Sequence, residues 1–217
     1  MNLSRVQSVL WDWNGTLLND MQLCIRSMNR LLSKRNLPLL CRDRYLDVFG
    51  FPVKDYYQRL GFDFSREAFE IPAEEFILHY NEGIDQVPLF EDAWETLCFF
   101  QQQGIRQYIV SAMEHRALES SVSKRGILPF FSSIHGIANN LAFGKSSIAR
   151  ELIQSQKLEP EYCIFIGDTI HDAEVAAETG VKGILIARGH QHPNRLNQTG
   201  NPVLGSLSEL QLFLQQA

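Results

Sequence analysis

Apolar runs bounded by turn residues recur along the chain and predict strands at Val6–Trp13, Gln107–Ser111, Ser133–Gly136, Cys163–Gly167 and Gly183–Ala187. From residue 86 onward these runs alternate with amphipathic helical stretches, Glu91–Gln103, Met113–Lys124, Ser146–Lys157 and His171–Thr179. Strands alternating with helices imply right-handed crossovers and a parallel sheet covered on both faces. Gly104, Gly126 and Gly180 each follow a helical stretch, where a left-handed C-terminal cap is expected.

The segment from about Asp20 to Asp85 follows a different pattern. Leu23, Ile25, Met28, Leu31 and Leu32 recur at helical spacing within Met21–Arg35. Further helices are predicted at Arg42–Phe49, Val53–Leu60, Arg66–Glu70 and Ala73–Glu82, with no convincing strand between them. The expected organisation is therefore an α/β core made of residues 1–19 and 86–217, with residues 20–85 inserted as a helical unit.

Composition narrows the function classes. The 217 residues carry 20 Lys+Arg against 25 Asp+Glu, a net charge of −5, which supplies no general attraction to nucleic acid or to an anionic membrane. No apolar run approaches the roughly 18 residues a membrane span needs. Cys24, Cys41, Cys98 and Cys163 form no CxxC pair and no metal-ligand spacing, and read as reduced, mostly buried residues. The first strand begins within a dozen residues of the N-terminus, so a cytoplasmic location without a removable leader is expected.

In a parallel α/β sheet, ligands bind where the carboxyl ends of strands meet helix N-termini. At those positions stand Asp12-Trp13-Asn14-Gly15-Thr16 after the first strand, Ser111-Ala112 after the second, and Gly167-Asp168-Thr169-Ile170-His171-Asp172 after the fourth. Gly144-Lys145-Ser146-Ser147 precedes the helix leading into the fourth strand. Three carboxylates and one ammonium brought to one edge leave two negative charges uncompensated, which either raises pKa values or recruits a cation. An oxygen-only donor set suits Mg²⁺. Ser111 and the backbone amides after Asp12 are then candidates to hold phosphate oxygens, Lys145 to neutralise charge, and Asp12 to attack phosphorus. Each residue also has an ordinary reading. Asp12 and Thr16 fit a turn, Ser111 a helix N-cap, Lys145 a solvated surface, and Asp168 with Asp172 a helix start favoured by the dipole. The ordered set argues for chemistry more strongly than any member.

The order DxxGT, Ser, Lys, GDxxxD resembles the haloacid dehalogenase superfamily, closely in DWNGTLLND, YIVSAMEH and IFIGDTIHDAEVAAETG. The helical insertion after the first motif resembles the subclass with an α-helical cap, of which phosphoglycolate phosphatase is the familiar member. The resemblance, from Val6 to about Leu210, implies a Rossmann-like core with a cap and Mg²⁺-dependent hydrolysis of a small phosphorylated metabolite. It implies that Asp12 is nucleophile and metal ligand, and that the carbonyl of Asn14 and the carboxylate of Asp168 are further ligands. Asp172 would complete the metal site, orienting a metal-bound water or Lys145. Asn14, Gly15, Thr16, Ser111 and Ala112 would bind the phosphate, with Thr16 bonding inside the motif loop. Phe49-Gly50-Phe51-Pro52-Val53-Lys54 resembles the specificity loop of such caps, with Lys54 meeting a substrate carboxylate or second phosphate.

One residue departs from the pattern. Phosphatases of this family carry a second aspartate two residues after the nucleophile, as general acid and then general base; here it is Asn14, whose amide cannot shuttle a proton. The alternative reading is a catalytically weak phosphate-binding or regulatory protein on the same scaffold. His171 and Glu114 are candidates to move the proton instead, with solvation and helix capping as their ordinary readings. Gly189-His190-Gln191-His192 reads as a turn after the last strand, with no chemistry assigned.

Overall fold

Strands β1 (Ser8–Trp11), β2 (Arg106–Glu114), β3 (Ser133–Ile137), β4 (Cys163–Gly167), β5 (Lys182–Ile186) and β6 (Val203–Leu204) form one parallel sheet in the order β3-β2-β1-β4-β5-β6. The computed structural model describes residues 3–138 and 144–216. The strand order reverses between β1 and β4, which marks the topological switch point where such sheets bind ligands. β1 and β4 are buried at every residue, consistent with their unbroken apolar runs SVLW and CIFIG.

Side chains of successive strand residues point to opposite faces, so the sheet sorts its helices by residue parity. Val9 and Trp11 pack in one cluster with Leu97 and Phe100 of α5 (Ala93–Gln102), Leu118 and Val122 of α6 (His115–Lys124), and Leu210 and Leu214 of α10 (Leu207–Gln216). Leu10 and Phe165 face the other way, against Leu152 of α7 (Lys145–Ser155) and Val175 of α8 (Ile170–Thr179). Trp11 meets the edge of Phe100 at 5.5 Å, and its indole N–H donates to Gln107 Oε1 at 3.1 Å.

Between β1 and α5 the chain forms helices α1 (Met21–Lys34), α2 (Arg42–Val48), α3 (Val53–Arg59) and α4 (Glu70–Asn81). The segments leaving and re-entering the sheet region run side by side. Asn19 N donates to Pro88 O at 3.0 Å, and Phe90 N to Leu17 O at 3.0 Å.

Several boundaries differ from the sequence expectation. The helix expected at Arg66–Glu70 is absent, residues 66–69 forming turns, and the one expected at Ala73–Glu82 begins earlier, as α4; Pro72 is tolerated in its first turn, where the missing N–H would have no intrahelical partner. β2 runs on to Glu114, which caps α6 by accepting from the Arg116 and Ala117 amides at 3.1 and 2.9 Å. β6, α10 and the four-residue α9 (Pro193–Leu196) extend the fold beyond Ala187. Gly104, Gly126 and Gly180 do take positive φ after their helices. The four cysteines are unpaired, with Cys24 and Cys163 buried, Cys98 half-buried and Cys41 exposed. Among the described residues, no helix is long and apolar enough to cross a membrane.

Candidate active site

After Trp11 the chain folds back on itself, the amides of Thr16, Leu17 and Leu18 converging on the Trp13 carbonyl at 3.4, 3.1 and 2.9 Å. Gly15 adopts φ +76°, and a Cβ there would overlap both the Asp168 carboxylate and the His190 ring. Only glycine satisfies both the left-handed backbone and the close approach.

This turn delivers Asp12, buried at 6% exposure, to the edge of the sheet. Lys145, the first residue of α7 and 3% exposed, donates to Asp12 Oδ1 and, at 2.5 Å, to Asp172 Oδ1. The other oxygen of Asp172 accepts from the amides of Asp168 and Thr169 at 3.1 and 2.9 Å and from the Thr169 hydroxyl at 2.7 Å, forming a capping box on α8. Asp168, with no exposure, accepts from the Thr16 hydroxyl at 3.1 Å and from the His190 amide at 2.6 Å.

Asp12, Asp168 and Asp172 bring one carboxylate oxygen each within 4.8 Å of one another. Burial, reinforced by the neighbouring carboxylates, raises Asp12 well above the usual carboxylate range despite Lys145. Burial likewise pushes Asp168 up to about 6. Asp172 lies below its ordinary value because Lys145 outweighs its burial, and both aspartates hold Lys145 protonated against its own burial. One ammonium is thus shared by two of three buried carboxylates, and the set carries a charge deficit that a cation would relieve.

A second buried network adjoins the first. Asp20 Oδ1 lies 3.1 Å from His190 Nε2 and accepts from the Gly15 amide at 2.9 Å. Asp20 Oδ2 accepts from Tyr80 at 2.7 Å and from the Asn14 side-chain amide at 2.8 Å, while Asn14 Nδ2 also reaches Tyr80 Oη at 2.8 Å. The other ring nitrogen of His190 bonds Tyr45 Oη at 2.8 Å. Although burial opposes it, Asp20 raises the imidazole of His190 to about 9, and His190 in turn holds Asp20 below its usual value. Tyr45 stands on α2 and Tyr80 on α4, so the network ties the helical insertion to the turn after β1. The sequence pattern around His190 points only to a turn. A histidine in a turn after β5 carries no local signal of a partner 170 residues earlier.

Both networks open onto one cavity of about 190 Å³, whose floor includes Asp12, Ser111, Ala112 and Lys145. Its opposite wall comes from the helical insertion, including Met28, Phe49, Tyr56, Phe76 and Tyr80.

Residues 9–186 match the family model of the haloacid dehalogenase-like hydrolases. The chain belongs to that family. Its relatives include a 5'-nucleotidase from Pseudomonas aeruginosa, 25% identical over 85% of this chain and 84% of its own length. Pyrophosphatase PpaX from Bacillus pumilus is 23% identical over 86% of each chain. Tyrosine-protein kinase PtkA from Mycobacterium tuberculosis is 23% identical over 91% of this chain and 68% of its own. Among solved structures, a haloacid dehalogenase-like family hydrolase from Streptococcus pneumoniae superposes with a TM-score of 0.84 at 20% identity, covering 98% of this chain and 100% of the other. A predicted phosphoglycolate phosphatase from Haemophilus somnus gives 0.80 at 19% identity over 97% and 99%. At these identities the structural likeness establishes the shared fold.

Within this family fold, several expected contacts go elsewhere. The Gly15 amide is taken by Asp20 and the Thr16 amide by the Trp13 carbonyl, so neither points to a phosphate oxygen. Thr16 does bond within the motif, its hydroxyl bridging Asp168 and, at 3.4 Å, Asp12. Asp172 Oδ1 accepts from Lys145 and Oδ2 from the α8 capping groups, a geometry that anchors the lysine beside Asp12. Ser111 is fully buried and accepts from the Met113 amide at 3.1 Å; the N-cap of α6 is Glu114 instead. Lys54 is exposed and turned outward, its ammonium 5.7 Å from the centre of the Phe64 ring, and it does not line the cavity. His171 sits beside Glu174 at 3.3 Å and against Phe51, its ring centre 4.7 Å away.

Proposed function

We propose that this hydrolase is a Mg²⁺-dependent phosphatase of small phosphate monoesters, with residues 20–85 acting as its cap. The observation that carries this reading is Asp12, buried beside Lys145 on the floor of a cavity at the topological switch point. The 5'-nucleotidase and the pyrophosphatase among its relatives support it. Asp12 attacks phosphorus through its unprotonated oxygen, the ester P–O bond breaks, and the leaving oxygen departs with the bonding electrons. Water then attacks phosphorus of the aspartyl-phosphate, which releases inorganic phosphate and regenerates Asp12. Lys145 offsets negative charge between nucleophile and phosphate, and Asp172 holds that ammonium in place. Closing helices α1–α4 over the floor excludes bulk water from the intermediate.

The donor set fits Mg²⁺. Asp12, Asp168 and the Asn14 carbonyl are the groups that would hold it, with Asp172 beside them, all hard oxygen donors. When bound, the ion supplies positive charge to a non-bridging phosphate oxygen. Without it, Asp168 takes up its proton in the folded state near pH 6 but in the unfolded chain near 3.8. Its contribution to stability is therefore present at low pH and lost as pH rises through about 6. Mg²⁺ competes with that proton. Added Mg²⁺ should raise the thermal midpoint clearly at pH 7.5 and much less at pH 5, and Asp168→Ala should lose the shift while remaining folded. An undiminished shift in Asp168→Ala removes Asp168 from the ligand set.

The test of the activity is hydrolysis of p-nitrophenyl phosphate with Mg²⁺ by the native protein and by Asp12→Asn. Turnover in the first and none above background in the second is the expected result. A protein that binds phosphate and Mg²⁺ but turns nothing over belongs to the phosphate-binding class instead.

A further inference from the structure

The floor and the wall of the cavity differ in chemistry. Among the described residues, its charged groups are Asp12, Lys145 and Asp172, bonded to one another, and Asp20 with His190, likewise paired. The wall contributed by α1, α3, α4 and the segment around Phe49–Val53 carries no charged side chain at all. Phe49, Phe51, Tyr56, Tyr57, Phe76 and Tyr80 make it predominantly aromatic. Among the described residues no lysine or arginine besides Lys145 lines the cavity, and Lys54 lies on the outer surface against Phe64. A charged substrate tail placed on this wall would be desolvated without a partner, which is strongly unfavourable.

Two further observations narrow the substrate. The Tyr56 side chain lines the cavity, and its hydroxyl is buried with no hydrogen-bond partner among the described residues, which leaves it a donor still to be matched. Burial also keeps that phenol neutral, well above its ordinary pKa. At the floor, Asn14 donates its amide to Asp20 and Tyr80 and has no proton to give a leaving oxygen. An aryloxide leaves without one; an alkoxide does not. A dry apolar cavity of roughly 150 Å³ accepts a benzene ring. The 190 Å³ here is large enough for one such ring.

Resting on the phosphatase reading above, we propose that the substrate is a single-ring aryl phosphate, otherwise uncharged, whose ring bears a hydrogen-bond acceptor that meets Tyr56. Attack by Asp12 on phosphorus expels the aryloxide, which takes its proton from water. Hydrolysis of the aspartyl-phosphate then gives inorganic phosphate.

The experiment compares kcat/KM, with Mg²⁺, for phenyl phosphate, 4-methoxyphenyl phosphate, phosphoglycolate and acetyl phosphate. Acetyl phosphate has an activated leaving group but no ring, and so reports the Asp12 chemistry alone. The aryl esters should exceed phosphoglycolate by about 10²-fold or more. Tyr56→Phe should raise KM for the methoxy ester about tenfold relative to phenyl phosphate, the loss of one hydrogen bond. Turnover of acetyl phosphate with phosphoglycolate equal to or better than the aryl esters overturns this proposal and leaves the phosphatase reading standing. Equal effects of Tyr56→Phe on both aryl esters overturn the assignment of Tyr56. No turnover of any ester, acetyl phosphate included, takes down the phosphatase reading and this proposal with it.

Discussion

Asn14→Asp is expected to hydrolyse alkyl phosphates about 10²-fold faster than the native protein, the usual worth of a positioned general acid. A carboxyl at residue 14 would take the place of an amide nitrogen that lies 2.8 Å from Asp20 Oδ2 and 2.8 Å from Tyr80 Oη. Two carboxylates that close retain one proton between them, so the new group would stand protonated at neutral pH and ready to donate. Aryl phosphates, whose leaving oxygen needs no proton, should gain far less in the first step. In the native protein the aspartyl-phosphate should accumulate, because no base at residue 14 activates the attacking water, and a burst of product should precede steady turnover. The two residues that sequence reading offered as substitutes are engaged elsewhere. Glu114 caps α6 and lies below its usual pKa because the Arg116 and Ala117 amides hold it ionised. His171 packs against Phe51 beside Glu174. Stopped-flow traces of native and Asn14→Asp proteins on one alkyl and one aryl ester decide the matter. No burst, and no gain on the alkyl ester, would show that another group already moves the proton.

Lys145→Met should destabilise the fold as severely as it impairs activity. The ammonium bridges Asp12 and Asp172 where all three side chains are at most 8% exposed. Removing one partner of such a set leaves uncompensated buried charge, at a cost of about 3–5 kcal/mol. For a chain of this size that corresponds to a drop of roughly 6–20 °C in the thermal midpoint. The direction with pH follows from the charges. Asp172 now lies below its ordinary value because of Lys145, and without the lysine its burial would push it upward. The deficit should therefore be largest near pH 8 and shrink as pH falls and the carboxylates take up protons. Melting curves of Lys145→Met across that range check this. A change under about 2 °C at pH 8 would mean that solvent or a bound cation already compensates the two carboxylates.

Sequence alone determined the sheet and the order of its chemistry. Apolar runs such as SVLW and CIFIG, and turn residues such as Gly15, act through local backbone preferences and through burial on both faces of a strand, so they are legible without tertiary contacts. The motifs at those strand ends placed Asp12, Lys145, Asp168 and Asp172 at one edge, because a parallel sheet must bring its carboxyl ends together. The two-residue β6 was not legible, since it is too short to show a period, and α10 starts where the distant Asp92 carboxylate accepts from the Leu207 and Ser208 amides at 3.0 and 3.1 Å. Only the tertiary structure decided what the helical insertion presents to the cavity. Val53 and Lys54 are sequence neighbours on α3, yet Val53 lines the cavity and Lys54 reaches Phe64 on the outside. Periodicity defines an apolar stripe on a helix; which of its neighbours reach a ligand depends on how α1–α4 pack against the turn after β1. The pairing of His190 with Asp20, Tyr45 and, through Asp20, Tyr80 depends on the same packing, and long-range packing leaves no mark on local sequence pattern.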